Sequence, residues 1–250
     1  MPRLTFHLLG SPRIELDGAP IEVDTRKAIA LAVYLAVTGE LHSRERLAAL
    51  FWPDADEAKA HAALRRTLSV LNKALDGEGL RIERETVNLE TGAAWVDVAE
   101  FHRRLADCRA HGHPPHDPCP DCLQPLSEAV TLYHDDFLAG FTLRDSSAFD
   151  DWQFFQSETL RRELAGALER LARCHLAQRE YEPAITPIVD RRARYEMAVP
   201  ATTQPRRVPQ GPQMAKVMPG SCVFTNSVRP SGAKQAPANS LGPWALRARR

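Results

Sequence analysis

Two groups of residues have the types and spacing to do chemistry. The first is Cys108, His111, His113, His116, Cys119 and Cys122, six side chains within fifteen residues. Cys119-Pro-Asp-Cys122 has the C-x₂-C spacing that brings two thiolates to one tetrahedral ion at about 2.3 Å, and Cys108, His111 or His113 would complete four ligands. A second C-x₂-C or an H-x₃-H is missing. Two readings therefore stand: a structural zinc site drawn from Cys108, His111, His113, Cys119 and Cys122, or a core thiol followed by a solvated loop. Cys108 suits the second reading, because it continues the apolar stripe of Val98, Phe101 and Leu105. Catalytic zinc has less support, since no H-E-x-x-H accompanies the cluster.

The second group lies on one helix. Residues 58–75 place Leu64, Leu68, Leu71 and Leu75 within about 60° of one another at 100° per residue. The opposite arc collects Lys59, His61, Arg65, Arg66, Ser69, Asn72 and Lys73, four of them Lys or Arg, with no acid in the segment. A leucine stripe that anchors a helix beneath a cationic, donor-rich face suits a major groove. Arg and Lys meet phosphates and guanine edges, Asn meets adenine, and Ser meets either. The plainer alternative is a solvated basic face.

Other chemistry finds no support. The chain has no G-x-x-x-x-G-K-[ST], G-x-G-x-x-G or G-x-S-x-G. The pairs Asp135-Asp136 and Asp150-Asp151 precede the aromatic segments at Phe137 and Trp152, where first-turn charge and capping account for them. The expectation is a protein that is not an enzyme.

The elements that position these groups can be read along the chain. Leu4, Phe6 and Leu8, then Ile14 and Leu16, then Ile21 and Val23 alternate as strands of a small antiparallel sheet, with Asp17-Gly18 at a tight turn. A helix from about Arg26 to Thr38, with Ile29, Val33 and Ala36 on one face, stops at Gly39. A second starts after Ser43, a good N-cap, and ends at Trp52-Pro53. The third starts after Asp54 or Asp56 and stops at Asp76-Gly77. A hairpin of Leu80 and Ile82 with Val87 and Leu89 follows, and Trp95-Val96 is expected as its third strand. Arg84 at its turn reaches an adjacent groove or phosphate, or is an ordinary solvated position. Helix, turn, helix and hairpin make the winged form of helix-turn-helix. Arg26 and Lys27 either touch phosphate or are simply the charges that open the first helix.

Asp97 with Glu100 reads as a capping box. It opens a helix through Val98, Phe101, Leu105 and Cys108. A loop at 111–125, helices from Leu126 to Tyr133 and from Phe149 to Leu171, and a further start at Tyr181 complete the pattern. The fold class is mainly α with small β elements: a winged helix-turn-helix domain at 1–96 and an α-helical domain at 97–186. Residues 187–250, with no sustained period and eight prolines after residue 190, read as a disordered basic tail.

These same residues carry a resemblance. Leu4-Thr5-Phe6-His7-Leu8-Leu9-Gly10, Arg26-Lys27-Ala28, Ser43-Arg44-Glu45-Arg46-Leu47, Phe51-Trp52-Pro53-Asp54 and Leu64-Arg65-Arg66-Thr67-Leu68-Ser69 follow one pattern in order. They resemble the winged-helix region of SARP-type transcriptional activators, which share an OmpR-like DNA-binding fold. Asp97 to Phe101, Tyr133 to Phe141 and Trp152 are similar to the bacterial transcriptional activator domain that follows in that family. The resemblance covers about 1–186. It implies a regulator whose third helix reads double-stranded promoter DNA and whose tetratricopeptide-like domain contacts RNA polymerase or other regulator subunits. Asp135 stands where the family commonly has Gly, so the local turn is expected to differ. The Pro/Arg-rich tail is unlike the family, which is what a truncated or frame-shifted end would give. A rival class is a protein–protein adaptor in which the winged helix is only a scaffold.

The charge distribution agrees with a local interface. The formal charge is zero, 32 Lys+Arg against 32 Asp+Glu, yet eleven of the bases and one of the acids fall after residue 190. Residues 1–190 therefore carry −10 and the remainder +10, so any DNA-binding face in the body must be a local one. The longest apolar run, Ala28 to Val37, is ten residues, too short to span a bilayer. No membrane association and a cytoplasmic location are expected, with the cysteines as thiols or metal ligands.

Overall fold

The computed structural model describes residues 3–23, 25–90, 92–114, 117–180 and 183, all inside one compact unit, Met1–Ala201. The helical start at Tyr181 and the basic tail lie outside the described residues.

Alternation at the start forms β1 (Leu4–His7), β2 (Arg13–Leu16) and β3 (Ala19–Pro20), paired antiparallel with Leu4 opposite Leu16 and Leu16 opposite Ala19. Asp17 and Gly18 take φ of 51° and 80° between β2 and β3, the left-handed pair that a two-residue hairpin turn demands. Ile21 and Val23 fall outside β3, which ends at Pro20, although Ile21 N–H still donates to the Ile14 carbonyl at 3.0 Å.

Helix α1 (Arg26–Thr38) is capped by Thr25, whose hydroxyl accepts from the Ala28 amide, and ends on Gly39 at φ 61°. It buries Leu31, Val33, Tyr34 and Leu35 together. That is more than the single face expected, in which Ile29 and Ala36 are only half-buried. Helix α2 (Arg44–Phe51) starts at Ser43, which accepts from Arg46 N, and α3 (Glu57–Ala74) starts at Asp56, which accepts from Lys59 N. Both caps use the side-chain oxygen that satisfies an otherwise orphaned amide. Asp76 and Gly77, both with positive φ, stop the chain after α3.

The wing is β5 (Leu80–Ile82) with β6 (Thr86–Leu89), and β4 (His42–Ser43), just ahead of α2, adds the third strand. The expected third strand of the hairpin goes elsewhere. Strand β7 (Ala94–Val96) lies parallel to β1, with Leu4 opposite Ala94, in the order β3-β2-β1-β7.

Strand β7 runs straight into α4 (Asp97–Ala110). A helix opens at the expected place, but Asp97 is not a cap: Val96 holds that position without a side-chain bond. The buried Asp97 carboxylate instead accepts from Leu8 N at 2.6 Å, Leu9 N at 2.8 Å and Val98 N at 2.8 Å. Burial pushes this carboxyl above the usual carboxylate range, and the three amides oppose the shift without cancelling it. Glu100 pairs with Arg103 and Arg104.

The loop after α4 is shorter than expected. A 3₁₀ turn at Pro120–Cys122 leads into α5 (Leu123–Leu132), and α6 (Ser147–Ala177) follows. Helix α4 packs on α5, and α5 on α6. The acidic pairs are also differently placed. Asp135 and Asp136 open no helix, and Asp136 pairs with Arg161. Asp150 sits in the first turn of α6, where it accepts from Leu143 N.

The core is continuous from Leu4 to Cys174. At its middle, Tyr34 and Phe51 of the winged helix meet Trp152 and Phe149 of α6 at ring-centroid distances of 4.9 and 5.6 Å. Ser146 caps α6 and donates its hydroxyl to Leu50 O at 2.7 Å. No helix among the described residues is long and apolar enough to cross a membrane.

Candidate functional site

Helix α3 is held as its leucine stripe requires. Ala60, Leu64, Leu68 and Leu71 are buried, while Lys59, Arg65, Arg66, Ser69 and Lys73 are exposed and His61 and Asn72 half-buried. Among the described residues Arg65, Arg66 and Lys73 form no ion pair. Lys59 is partly neutralised by Asp56 at 2.7 Å. The face thus offers three uncompensated cations beside a serine and an asparagine, an arrangement that can meet phosphates and base edges together.

Grooves run along both flanks of this helix. On the wing side, His61 and Arg65 share a groove of about 400 Å³ with Arg44, Arg84 and Thr86. Arg44 donates to the Glu83 carbonyl at 3.0 Å, tying the start of α2 to the wing turn. The Arg84 side chain is 95% exposed, with Glu85 3.5 Å away, so it projects from the wing tip. Arg81 pairs with Glu90, and Thr86 donates to Glu83. The acids Glu45, Glu85 and Glu57, the last in the first turn of α3, line the same groove and weaken its attraction for phosphate at that end of the helix.

On the other flank, Ala63, Arg66, Thr67 and Val70 of α3 face Arg26, Lys27 and residues 142–145 across a groove of about 840 Å³. Arg26 and Lys27 do not stand free at the start of α1. Arg26 lies over the Phe141 ring at 4.7 Å and donates to Thr142 O at 3.1 Å. Lys27 pairs with Asp145 at 2.8 Å, lies 4.9 Å from the Trp52 ring centroid and is only 16% exposed. Both therefore fasten the segment after Gly140 to the winged helix. Arg144 on that segment is exposed and lines the groove with Arg66. Sequence reasoning missed Arg44 and Arg144. Arg44 was legible as the residue after the Ser43 cap, whereas Arg144 lies in an aperiodic stretch with no local signal.

The thiol–histidine residues are brought together with one exception. His111 Nδ1 lies 3.2 Å and His113 Nε2 3.1 Å from Cys122 Sγ, and Cys119 Sγ lies 3.8 Å from His111 Nδ1. The four donor atoms fall within 4.8 Å of one another. Cys108 is not one of these four: its thiol, buried on α4, neighbours the Cys122 thiol and lies 3.9 Å from the Cys122 carbonyl. His116 lies outside the described residues. Burial, with the neighbouring Cys108 and Cys119 thiols, pushes Cys122 up to about 12, which keeps a lone thiol there protonated.

No family model and no curated protein matches the chain. A solved structure of Mycobacterium tuberculosis EmbR, in complex with a low-affinity phosphopeptide, matches it with a TM-score of 0.58 at 19% identity. The match covers 78% of this chain and 51% of the EmbR chain, so the chain corresponds to about half of that protein. The likeness is one of fold, a winged helix joined to a helical region.

Proposed function

We propose that the chain is a DNA-binding transcriptional regulator of the SARP type, an activator that reads double-stranded promoter DNA through α3. The observation that carries this reading is the outer face of α3, which after Glu57 in its first turn carries no acid and leaves Arg65, Arg66 and Lys73 exposed and unpaired among the described residues, in a body of formal charge −10. The likeness to EmbR, a regulator of the SARP type, supports the same class. Arg65, Arg66, Ser69 and Asn72 meet bases and phosphates; Lys59, His61, Lys73 and the wing-tip Arg84 meet phosphates. Arg26 and Lys27 position the segment after Gly140 beside this face.

Residues 1–96 and 97–186 are the DNA-reading and partner-contacting halves in this reading, and they share one core. RNA polymerase or other regulator subunits are the partners of the helical half, and the cytoplasm is the location. A second reading, a protein adaptor, is favoured by one observation. Phe154 and Phe155 on α6 are 60% and 67% exposed, an apolar pair in a position open to another protein.

Selection of genomic DNA fragments by the whole chain at two salt concentrations separates the two. Enrichment of one sequence class that persists at the higher salt supports the regulator. Binding that falls steeply with salt and prefers no sequence is charge alone, and leaves the adaptor.

A further inference from the structure

We infer that His111, His113, Cys119 and Cys122 form a structural zinc site that closes the connection between α4 and α5. The set does not depend on the DNA-binding reading, since it lies in the other half of the chain and touches no residue of α3. Its spacing is H-x-H-x₅-C-x₂-C, two neutral nitrogens and two thiolates, the donor set of closed tetrahedral zinc sites. Zinc bonds of about 2.0 Å to nitrogen and 2.3 Å to sulfur place a nitrogen and a sulfur of one tetrahedron about 3.5 Å apart. The three N···S separations, 3.1, 3.2 and 3.8 Å, bracket that value.

A second feature prepares the site. His113 Nδ1 lies 2.9 Å from the Pro114 carbonyl, and a carbonyl only accepts, so the ring hydrogen of neutral His113 is on Nδ1. Nε2 is then a bare lone pair, and it is the atom that lies against Cys122 Sγ. This is the backbone-anchored tautomer found behind metal-bound histidines. Both histidines approach the one Cys122 sulfur, His111 through Nδ1 and His113 through Nε2. A cation seated among the four donors takes a lone pair from each.

The surroundings suit a structural role. Cys122 is buried at the end of the 3₁₀ turn, Cys119 and His113 are half-buried, and His111 is exposed. All four positions open to an ion are then taken by protein, and none is left for water or substrate. The Cys174 thiol on α6 donates to the Cys119 carbonyl at 3.4 Å, so a metal held by Cys119 also fixes where the turn meets α6. Cys108, first in the sequence pattern, stays in the core.

The test is the zinc content of the whole chain, purified with zinc and never exposed to chelator, together with the visible spectrum after cobalt(II) exchange. The expected result is about one equivalent of zinc and the absorption of tetrahedral cobalt bound to thiolate. Cys119→Ser combined with His113→Ala lowers the content to about a tenth of an equivalent or less, whereas Cys108→Ala retains the full equivalent. Less than about a tenth of an equivalent in the unaltered chain overturns the site. So does an equivalent that survives the double substitution, or cobalt bound without a thiolate signature. Because cobalt is read in the unaltered chain, failure of a variant to fold leaves the proposal open to refutation.

Discussion

Replacing Asp97 tests how the two halves of the molecule are joined. Its carboxylate is 4% exposed within the core and is the acceptor for three backbone amides, two of them at the end of β1. Leu8 and Leu9 are themselves 0% and 2% exposed, so water cannot replace the acceptor. In Asp97→Ala each orphaned amide costs about 1–3 kcal/mol, partly offset because a carboxylate no longer has to be buried. A net loss of about 3 kcal/mol follows, a large fraction of the roughly 5–15 kcal/mol that holds a domain together. Asp97→Asn keeps one oxygen for Leu8 and Leu9 but turns an NH₂ group toward Val98 N–H, for a loss of about 1–2 kcal/mol. Urea unfolding of the three proteins gives the free energies, and thermal unfolding should show Asp97→Ala lower by about 6–12 °C. If both substitutions cost less than about 0.5 kcal/mol, or if Asn costs as much as Ala, the amide clasp is not what anchors β1.

Two further outcomes follow from side chains between elements. Lys27→Ala should lower stability by about 1 kcal/mol, through the loss of its Asp145 pair and its contact with Trp52. DNA affinity should stay within about twofold, because a pair already satisfied inside the protein makes little phosphate contact; a loss of tenfold or more in a binding assay would return Lys27 to the interface. His42 supplies the pH dependence. It is 1% exposed; Thr38 gives its own hydroxyl hydrogen to Tyr34 O, so His42 Nε2–H donates to Thr38 Oγ1 and Nδ1 is left without a partner. Burial, followed by the charge of Arg46, holds this imidazole below its ordinary value. A folded value below the unfolded one gives stability that is present above about pH 6.5 and lost as pH falls through the folded value, at up to about 1.4 kcal/mol per pH unit. In His42→Gln that component of the acid slope should be missing, and parallel pH–stability curves for the two proteins would refute the assignment.

Much of the winged helix was legible because its signals are local. Ser43 and Asp56 cap helices, Gly39 takes a left-handed turn, and the leucines of α3 lie on one stripe; each follows from residues within a turn or two of one another. What failed depends on distant partners. Strand β7 pairs with β1 across some ninety residues of chain, a choice made by the shared core and not by alternation. Asp97 has the spacing of a capping box, yet burial against Leu8 and Leu9 assigns its oxygens elsewhere. Arg26 and Lys27 look like free cations at the start of a helix until the segment after Gly140 folds over them. In the thiol–histidine region, Pro120 and the cysteines obscured the start of α5. The C-x₂-C pair and the two histidines do lie together, and Cys108 is outside those four.

The most direct measurement is the affinity of the whole chain for its selected DNA sequence and for an unrelated duplex, with and without Arg65→Ala and Arg66→Ala. Each substitution should cost about 1–3 kcal/mol on the selected sequence if it removes a base contact. On the unrelated duplex the loss should be smaller, with a salt slope shallower by about one per phosphate contact removed. Equal affinity for both duplexes, unchanged by either substitution, would contradict DNA reading by α3.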